Sequence, residues 1–310
     1  MKWSDGLAEW QEGSMMLLSV AFTWRLETAY TRARFYVAEG FKVRVGGPAL
    51  FPRTALRDRL AEIAEVGGEY CDAVAKHNPL ATIASRGCPV GCWFCIVPKM
   101  EGKNFTLLPE FPIRPVLCDN NLSGLPADYQ EHIIRRYQDS GVKLLDANSG
   151  FEPITFTPDV YERWKPLVNE GRGPWRFAYD ERKEREQVLR VMKMLADEPQ
   201  KRKRVYVLIG NEPFDDCMAR IKEVLLHKCE PHCQPLLKLN CTETNRNGRP
   251  RPWVRFDWTE QRLRDVARWA NKWLWKQCTF AEYDNRYRSH RSVRQRAEAA
   301  TKSHQRELSI

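Results

Sequence analysis

The sequence predicts an α/β fold: a parallel sheet crossed over by helices, a small N-terminal βαβ appendage, and a helical, basic C-terminal extension. Two observations carry this. From residue 79 onward, short runs rich in branched and aromatic residues alternate with longer segments whose apolar residues recur at helical spacing. Regular βα alternation is satisfied by parallel strands joined through helical crossovers. Upstream, one strand, one helix and one strand run into Gly46-Gly47-Pro48, as a single βαβ unit does. A chain of 310 residues fits one large domain with small appendages, divided at 1–78, 79–245 and 246–310.

In the N-terminal segment, a buried strand is expected over 17–24 and a second over 41–45. Between them, 26–39 places Ala29, Ala33, Tyr36 and Val37 at helical spacing. The unit could be the remnant of a nucleotide- or cobalamin-binding domain. It has no Asp-x-His-x-x-Gly pattern, and Gly46-Gly47 lacks a G-x-G-x-x-G continuation. A packing extension at one edge of the main domain is the simpler account.

The main series has strands expected over 80–84, 115–118, 142–146, 175–179, 205–209 and 235–240. Helices are expected over 126–139, 158–169, 185–196 and 215–227. Thr157 is placed to cap the second of these, with Pro158 at its first position. A polar loop over 242–253 carries Arg246, Arg249 and Arg251 and belongs on the surface. An amphipathic helix is expected over 259–277, its Trp269 and Trp273 sealing a core rather than stacking on bases. Residues 286–310 are basic and polar, a mobile or partly helical tail.

Composition bounds the function. No apolar run is long enough to span a membrane, and 15–22 lacks the flanks of a secretory signal. The 10 cysteines are neither dense nor regularly paired, which suggests a reducing cytoplasm and a metal rather than a disulfide framework. The net charge of +10 suits anionic partners or substrates, and equally a soluble basic protein that has none.

The most informative stretch is Ser85-Arg86-Gly87-Cys88-Pro89-Val90-Gly91-Cys92-Trp93-Phe94-Cys95. Three cysteines at C-x3-C-x2-C spacing, on a loop after a strand, can take three irons of a cubane cluster and leave the fourth without a protein ligand. The competing account, buried or zinc-binding cysteines, is less well matched, because zinc sites favour paired C-x2-C arms. Further segments join it: Val97-Pro98-Lys99, Asp119-Asn120-Asn121-Leu122, Phe177-Ala178-Tyr179-Asp180 and Tyr206-Val207-Leu208-Ile209-Gly210. Over roughly 79–245 the chain resembles the radical S-adenosylmethionine (SAM) superfamily, within a bacterial and phage subgroup.

The resemblance implies a partial (β/α)6 TIM-type barrel and a [4Fe–4S] cluster on Cys88, Cys92 and Cys95. It implies SAM chelating the open iron, with Phe94 near the adenine. A reductant such as flavodoxin or ferredoxin would supply one electron, and a 5′-deoxyadenosyl radical would abstract hydrogen from the substrate. Where the superfamily often has Gly-Gly-Glu, this chain has Asp119-Asn120-Asn121, making Asp119 and Asn120 candidates around the SAM amino group. Asn148, Ser149 and Asp180 are candidates for its carboxylate or ribose, and the backbone up to Gly210 for its adenine. These residues share one property readable without the resemblance: polar clusters follow four successive strands, where parallel α/β folds place their sites. Cys118, Tyr179 and Glu212 could donate a hydrogen or proton later.

A second cysteine group, Cys229, His232, Cys233 and Cys241 with His227, has no well-formed second arm for zinc, and ordinary structural cysteines explain it. Three basic runs, 201–204, 246–255 and 286–306, together suggest a nucleic-acid footprint. A nucleoside or nucleic-acid base is therefore the first substrate expectation. The alternatives are a peptide-modifying radical enzyme and a non-catalytic metal-binding nucleic-acid protein.

Overall fold

The computed structural model describes residues 3–68, 72–148 and 150–284. Ser149 and the basic tail expected over 286–310 lie outside the described residues.

The N-terminal unit begins with an antiparallel hairpin, β1 (Leu7–Glu12) and β2 (Met15–Val20). The chain then runs through α1 (Leu26–Ala38) to β3 (Lys42–Gly46), parallel to β2. Next come α2 (Ala55–Ala61), β4 (Glu65–Val66) and α3 (Ala73–His77), with sheet order β1-β2-β3-β4. The expected βαβ unit is β2-α1-β3, and Leu18, Val20, Leu26, Ala29, Ala33 and Val45 pack its core. Two details differ. The strand expected over 17–24 stops at Val20, and Thr23–Arg25 forms a 3-10 turn. A tertiary contact accounts for the stop: the Thr23 hydroxyl donates to the carbonyl of Cys241. The added strand β1 has a polar, weakly alternating sequence, and its pairing with β2 rather than its own pattern makes it a strand.

The second region runs β5 (Ala81–Thr82), β6 (Ser85–Arg86), α4 (Val97–Met100), β7 (Thr106–Leu107), β8 (Val116–Leu117), α5 (Ala127–Ser140) and β9 (Asp146–Ala147). It continues α6 (Pro158–Gly171), β10 (Trp175–Ala178), α7 (Arg185–Met194), β11 (Lys203–Ile209), α8 (Phe214–Leu226), β12 (Glu230–Pro235) and α9 (Glu260–Asn271). Two parallel three-stranded sheets result, β5-β8-β9 and β10-β11-β12. One parallel bridge, Phe151 to Phe177, links the end of the first to the second. The architecture is mixed α/β with several small sheets, and the described residues form no closed barrel.

The helices expected over 26–39, 126–139, 158–169, 185–196 and 215–227 appear within two residues of their expected ends, because amphipathic spacing and caps are local properties. Thr157 caps α6, accepting the Val160 N–H at 3.3 Å, and Pro158 opens the helix. Two strands are corrected. The strand expected over 142–146 is reduced to Asp146–Ala147. The Leu144 and Leu145 carbonyls face the chain leaving α6, where a Cβ on Gly173 would lie 2.4 Å from the Leu145 oxygen. The sixth strand occupies 230–235, not 235–240. β12 contains Pro231 and Pro235; among the described residues it pairs only with β11, and an edge strand tolerates proline. Its outer side is met by Asn271, whose amide accepts the Cys233 N–H at 2.7 Å and donates to the Cys233 carbonyl at 2.9 Å.

The helix expected over 259–277 ends at Asn271, since Trp273 takes a left-handed conformation (φ 53°). Trp269 seals the core as expected; Trp273 is exposed instead. α9 is thus built into the core over β10-β11-β12, with Leu263, Val266 and Trp269 meeting Val207, Ile209 and Ile221. Around β5-β8-β9, Leu117, Ile133, Trp164, Trp175 and Phe177 form a separate core.

Candidate metal and cofactor site

The cysteine loop is held at its base. β6 and β7 pair antiparallel, Ser85 with Leu107 and Arg86 with Thr106, closing the loop between them. Glu101 fastens its first turn: it pairs with Arg86 at 3.1 Å and accepts the Gly87 N–H at 2.9 Å and the Asn120 amide at 2.7 Å. Gly87 (φ 84°) passes so close to Asn104 that a Cβ would lie 2.1 Å from its carbonyl oxygen. Within the loop, Cys95 N–H bonds to the Cys92 carbonyl, and Cys95 Sγ accepts the Val97 N–H at 3.4 Å. Asn121 donates to Cys88 Sγ at 3.9 Å.

All three thiols are half-buried, and burial raises each of them, Cys92 to about 12. Carboxylates add to this. Glu152, Asp180 and Glu184 act on Cys92 with the same sign as burial. Those acids are themselves raised, first by burial and then by Glu184 as a neighbour: Glu152 to about 7 and Asp180 to about 8. Among the described residues, none of the three carboxylates forms an ion pair. Glu184 instead accepts the Asp180 and Glu181 backbone N–H groups, a capping box at the start of its own helical turn. Thiols and carboxyls so arranged share a need for positive charge, and a metal centre or cationic cofactor would lower every one of these values.

The donor set therefore fits an iron–sulfur cluster chemically. Among the described residues, no three His, Cys, Asp or Glu side chains meet at a point that would hold one metal ion. Such convergence is what a single zinc ion requires; cluster thiolates each take a different iron.

The remaining expected residues fall into two groups. Half-buried Phe94 stays in the loop, edge-on to Trp93 at 5.4 Å. Asp180 and Gly210 lie at the carboxyl ends of β10 and β11, and Asn148 just past β9. The Asp180 carbonyl accepts from Asn211 at 2.5 Å, tying the ends of β10 and β11 together. Asp119 and Asn120, by contrast, are occupied with the loop. Asp119 is fully buried, its two oxygens taking the Ala84 N–H at 2.9 Å and the Ser85 hydroxyl at 2.5 Å. Asn120 bonds to Glu101, which holds the loop's first turn.

Of the candidate hydrogen donors, Tyr179 donates to Glu223 at 2.7 Å, and Glu212 is paired with Arg220 at 3.1 Å. Burial pushes the Cys118 thiol up to about 12. In the second cysteine group, His232 and Cys233 are adjacent on β12 and point to opposite faces. His232 packs edge-on to Tyr206 at 5.1 Å, whereas Cys233 joins the core under α9.

Three residues escaped the sequence reading. Glu101 gives no signal, since nothing local links it to Gly87. Glu184 could have been found as the third residue after Glu181, the capping-box spacing. Arg220 sits in the buried stripe Cys217, Ile221, Val224 of α8. Its guanidinium donates to the Leu208 carbonyl at 2.9 Å and Asn211 at 3.2 Å, and to the Tyr179 carbonyl, bracing the strand ends around Asp180. In comparisons with known proteins, no family model matches the chain and no curated protein matches it.

Proposed function

We propose that the chain is a radical SAM enzyme built on a partial six-strand barrel, acting on a nucleoside or nucleic-acid base in the cytoplasm with a small electron-transfer protein as reductant. The observation that carries it is one loop lying within the electrostatic reach of one set of acids. Three half-buried thiols stand at C-x3-C-x2-C spacing, and Glu152, Asp180 and Glu184 all raise the Cys92 thiol. None of the three acids forms an ion pair among the described residues; Arg220 acts on Asp180 and Glu184 only from a distance. The bridge between Phe151 and Phe177 supports the barrel, since it puts β5-β8-β9-β10-β11-β12 in one order.

Cys88, Cys92 and Cys95 would hold the cluster, and SAM, with its sulfonium and ammonium charges, suits the acids beside it. When bound, this pair supplies a one-electron cleavage that delivers a 5′-deoxyadenosyl radical to a substrate carbon. The chain's own residues have separable tasks. Glu101, Asn120 and Asp119 fix the loop. Arg220 and Asn211 fix the strand ends that carry Asp180. Phe94 offers an aromatic face beside the cysteines. Asp119, with both oxygens engaged inside the protein, serves better as a positioning residue than as a SAM contact.

Anaerobic reconstitution tests this. The chain should take up roughly four irons and, with dithionite and SAM, release 5′-deoxyadenosine and methionine; Cys92→Ala should lose both properties. A wild-type chain that binds iron yet forms no 5′-deoxyadenosine defeats the proposal, as does a Cys92→Ala chain that keeps full activity.

A further inference from the structure

The cysteine loop carries one large side chain that neither its clamp nor a cluster explains. Trp93, between Cys92 and Cys95, is 42% exposed. Its indole N–H donates to Glu181 at 3.2 Å, and its ring meets Trp253 edge-on at 6.4 Å. Arg255 lies over three rings at once, 5.3 Å from Trp93 and 5.0 Å from both Trp253 and Phe256. Lys238 stands 5.7 Å from the Trp253 ring. Trp253 and Lys238 also line a cleft of about 570 Å³, bounded further by Asn240, Thr242 and Arg251, with Glu243 and Glu260 on its wall.

Three properties set this surface apart. Its aromatic faces are held outward: Phe256 is 57% exposed and sits at φ 51°, a left-handed backbone that bulky residues rarely adopt. Its cations are unspent: Arg255, Lys238 and Arg251 form no salt bridge among the described residues. Its backbone is anchored, with Trp253 N–H on the Leu236 carbonyl at 2.7 Å and Arg251 N–H on the Glu243 carbonyl at 3.0 Å. Rings that are exposed (Trp93, Phe256) or half-buried (Trp253), interleaved with cations that have no carboxylate partner among the described residues, match the two demands of a single nucleic-acid strand, stacking for bases and neutralisation for phosphates. A duplex keeps its bases stacked on one another and offers the rings nothing. An acidic peptide would satisfy the cations but has no flat faces for the rings.

We propose that Trp93, Trp253, Arg255 and Phe256, with Lys238, form a landing platform for single-stranded nucleic acid that leads a nucleotide to the cysteine loop. The inference names the substrate of the radical chemistry proposed above and rests on that reading. Trp93 belongs to both the platform and the loop, so the strand is delivered where the chemistry would occur.

Fluorescence anisotropy of the full chain with a labelled oligothymidylate or oligouridylate strand tests it. Phe256→Asn, which suits the left-handed backbone, and Trp253→Ala should each weaken strand binding about tenfold at unchanged salt dependence. Arg255→Gln should lower the slope of log affinity against log salt by about one. The corresponding duplex should bind at least about tenfold more weakly than the strand. Unchanged affinity in Phe256→Asn, or displacement of the strand by polyglutamate as readily as by unlabelled strand, overturns the proposal. The binding assay requires neither cluster nor SAM. Strand binding without 5′-deoxyadenosine formation leaves the platform standing and removes the radical reading; 5′-deoxyadenosine formation without strand binding does the reverse.

Discussion

Two sets of buried charge occur along the same strands, and they are resolved in opposite ways. Within the sheet, Asp146 of β9 takes Arg176 of β10 in a two-pronged pair, at 2.6 and 2.5 Å, and Arg176 also reaches the Tyr206 hydroxyl of β11 at 2.5 Å. Both charged residues are 8% exposed. Every charge there has its partner, and His232 beside Tyr206 is kept neutral, lowered to about 4 by burial and the nearby Arg204 and Arg176. At the strand ends, Glu152, Asp180 and Glu184 have no such partner among the described residues, and their carboxyls are raised instead. A satisfied buried pair is costly to break but does nothing further. Acids without an ion pair, whose backbone hydrogen bonds do not offset their burial, hold affinity in reserve for a positive charge. The contrast separates scaffold from site more sharply than burial does, since the inner pair is buried and the strand-end acids are still half-buried.

The comparison can be broken most directly at Arg176. Arg176→Met leaves Asp146 buried without its partner and should destabilise the chain by about 3–5 kcal/mol in urea unfolding; a loss below about 1 kcal/mol would mean that the inner pair is not structural.

A smaller effect of opposite sign is expected at the strand ends. The raised Asp180 and Glu152 carboxyls bind protons more tightly in the folded chain than in the unfolded one. Their contribution to stability is complete below the ordinary carboxylate range and is lost as pH rises through about 7 and about 8. Without a bound cation, stability should therefore fall between about pH 4 and 8. Asp180→Asn should flatten that profile and stabilise the chain at pH 8 by about 1–2 kcal/mol. The full linkage value is not expected, because Asp180 as a residue keeps partial exposure and the nearby Arg220 already offsets part of the cost. Thermal unfolding across that range is the check, and a profile identical to wild type would remove the claim of unsatisfied charge.

The smallest effect falls on Tyr206→Phe, which removes one of the hydrogen bonds of Arg176 and keeps its carboxylate. A cost of about 1 kcal/mol by urea titration is expected. A loss as large as that of Arg176→Met would show that the hydroxyl, not the ion pair, sustains the inner set.

How much of this was legible in the sequence follows the range of the interactions. The alternation of β8, α5, β9, α6 and β10 could be read because periodicity and caps such as Thr157 lie within a few residues. The cysteine loop could be read because the spacing of ligands on one loop is itself a local geometry. Strand β1 could not, since its polar sequence becomes a strand through β2. Nor could the shift of β12, whose prolines are acceptable because, among the described residues, no strand pairs on its far side and Asn271 meets it there.

The sequence by itself determined the α/β alternation, the helices, and a three-cysteine loop after a strand. Tertiary structure alone decided the tasks of the residues around that loop. Asp119 became a buried anchor through Ala84 and Ser85, and Glu101 a clamp through Gly87 and Asn120. Trp93 became part of an aromatic and cationic surface through Trp253 and Arg255, some 160 positions along the chain. Local order depends on backbone periodicity, which neighbouring residues encode. The charge and contacts of a site depend on which distant side chains share its low-dielectric surroundings, and only the folded chain brings those together.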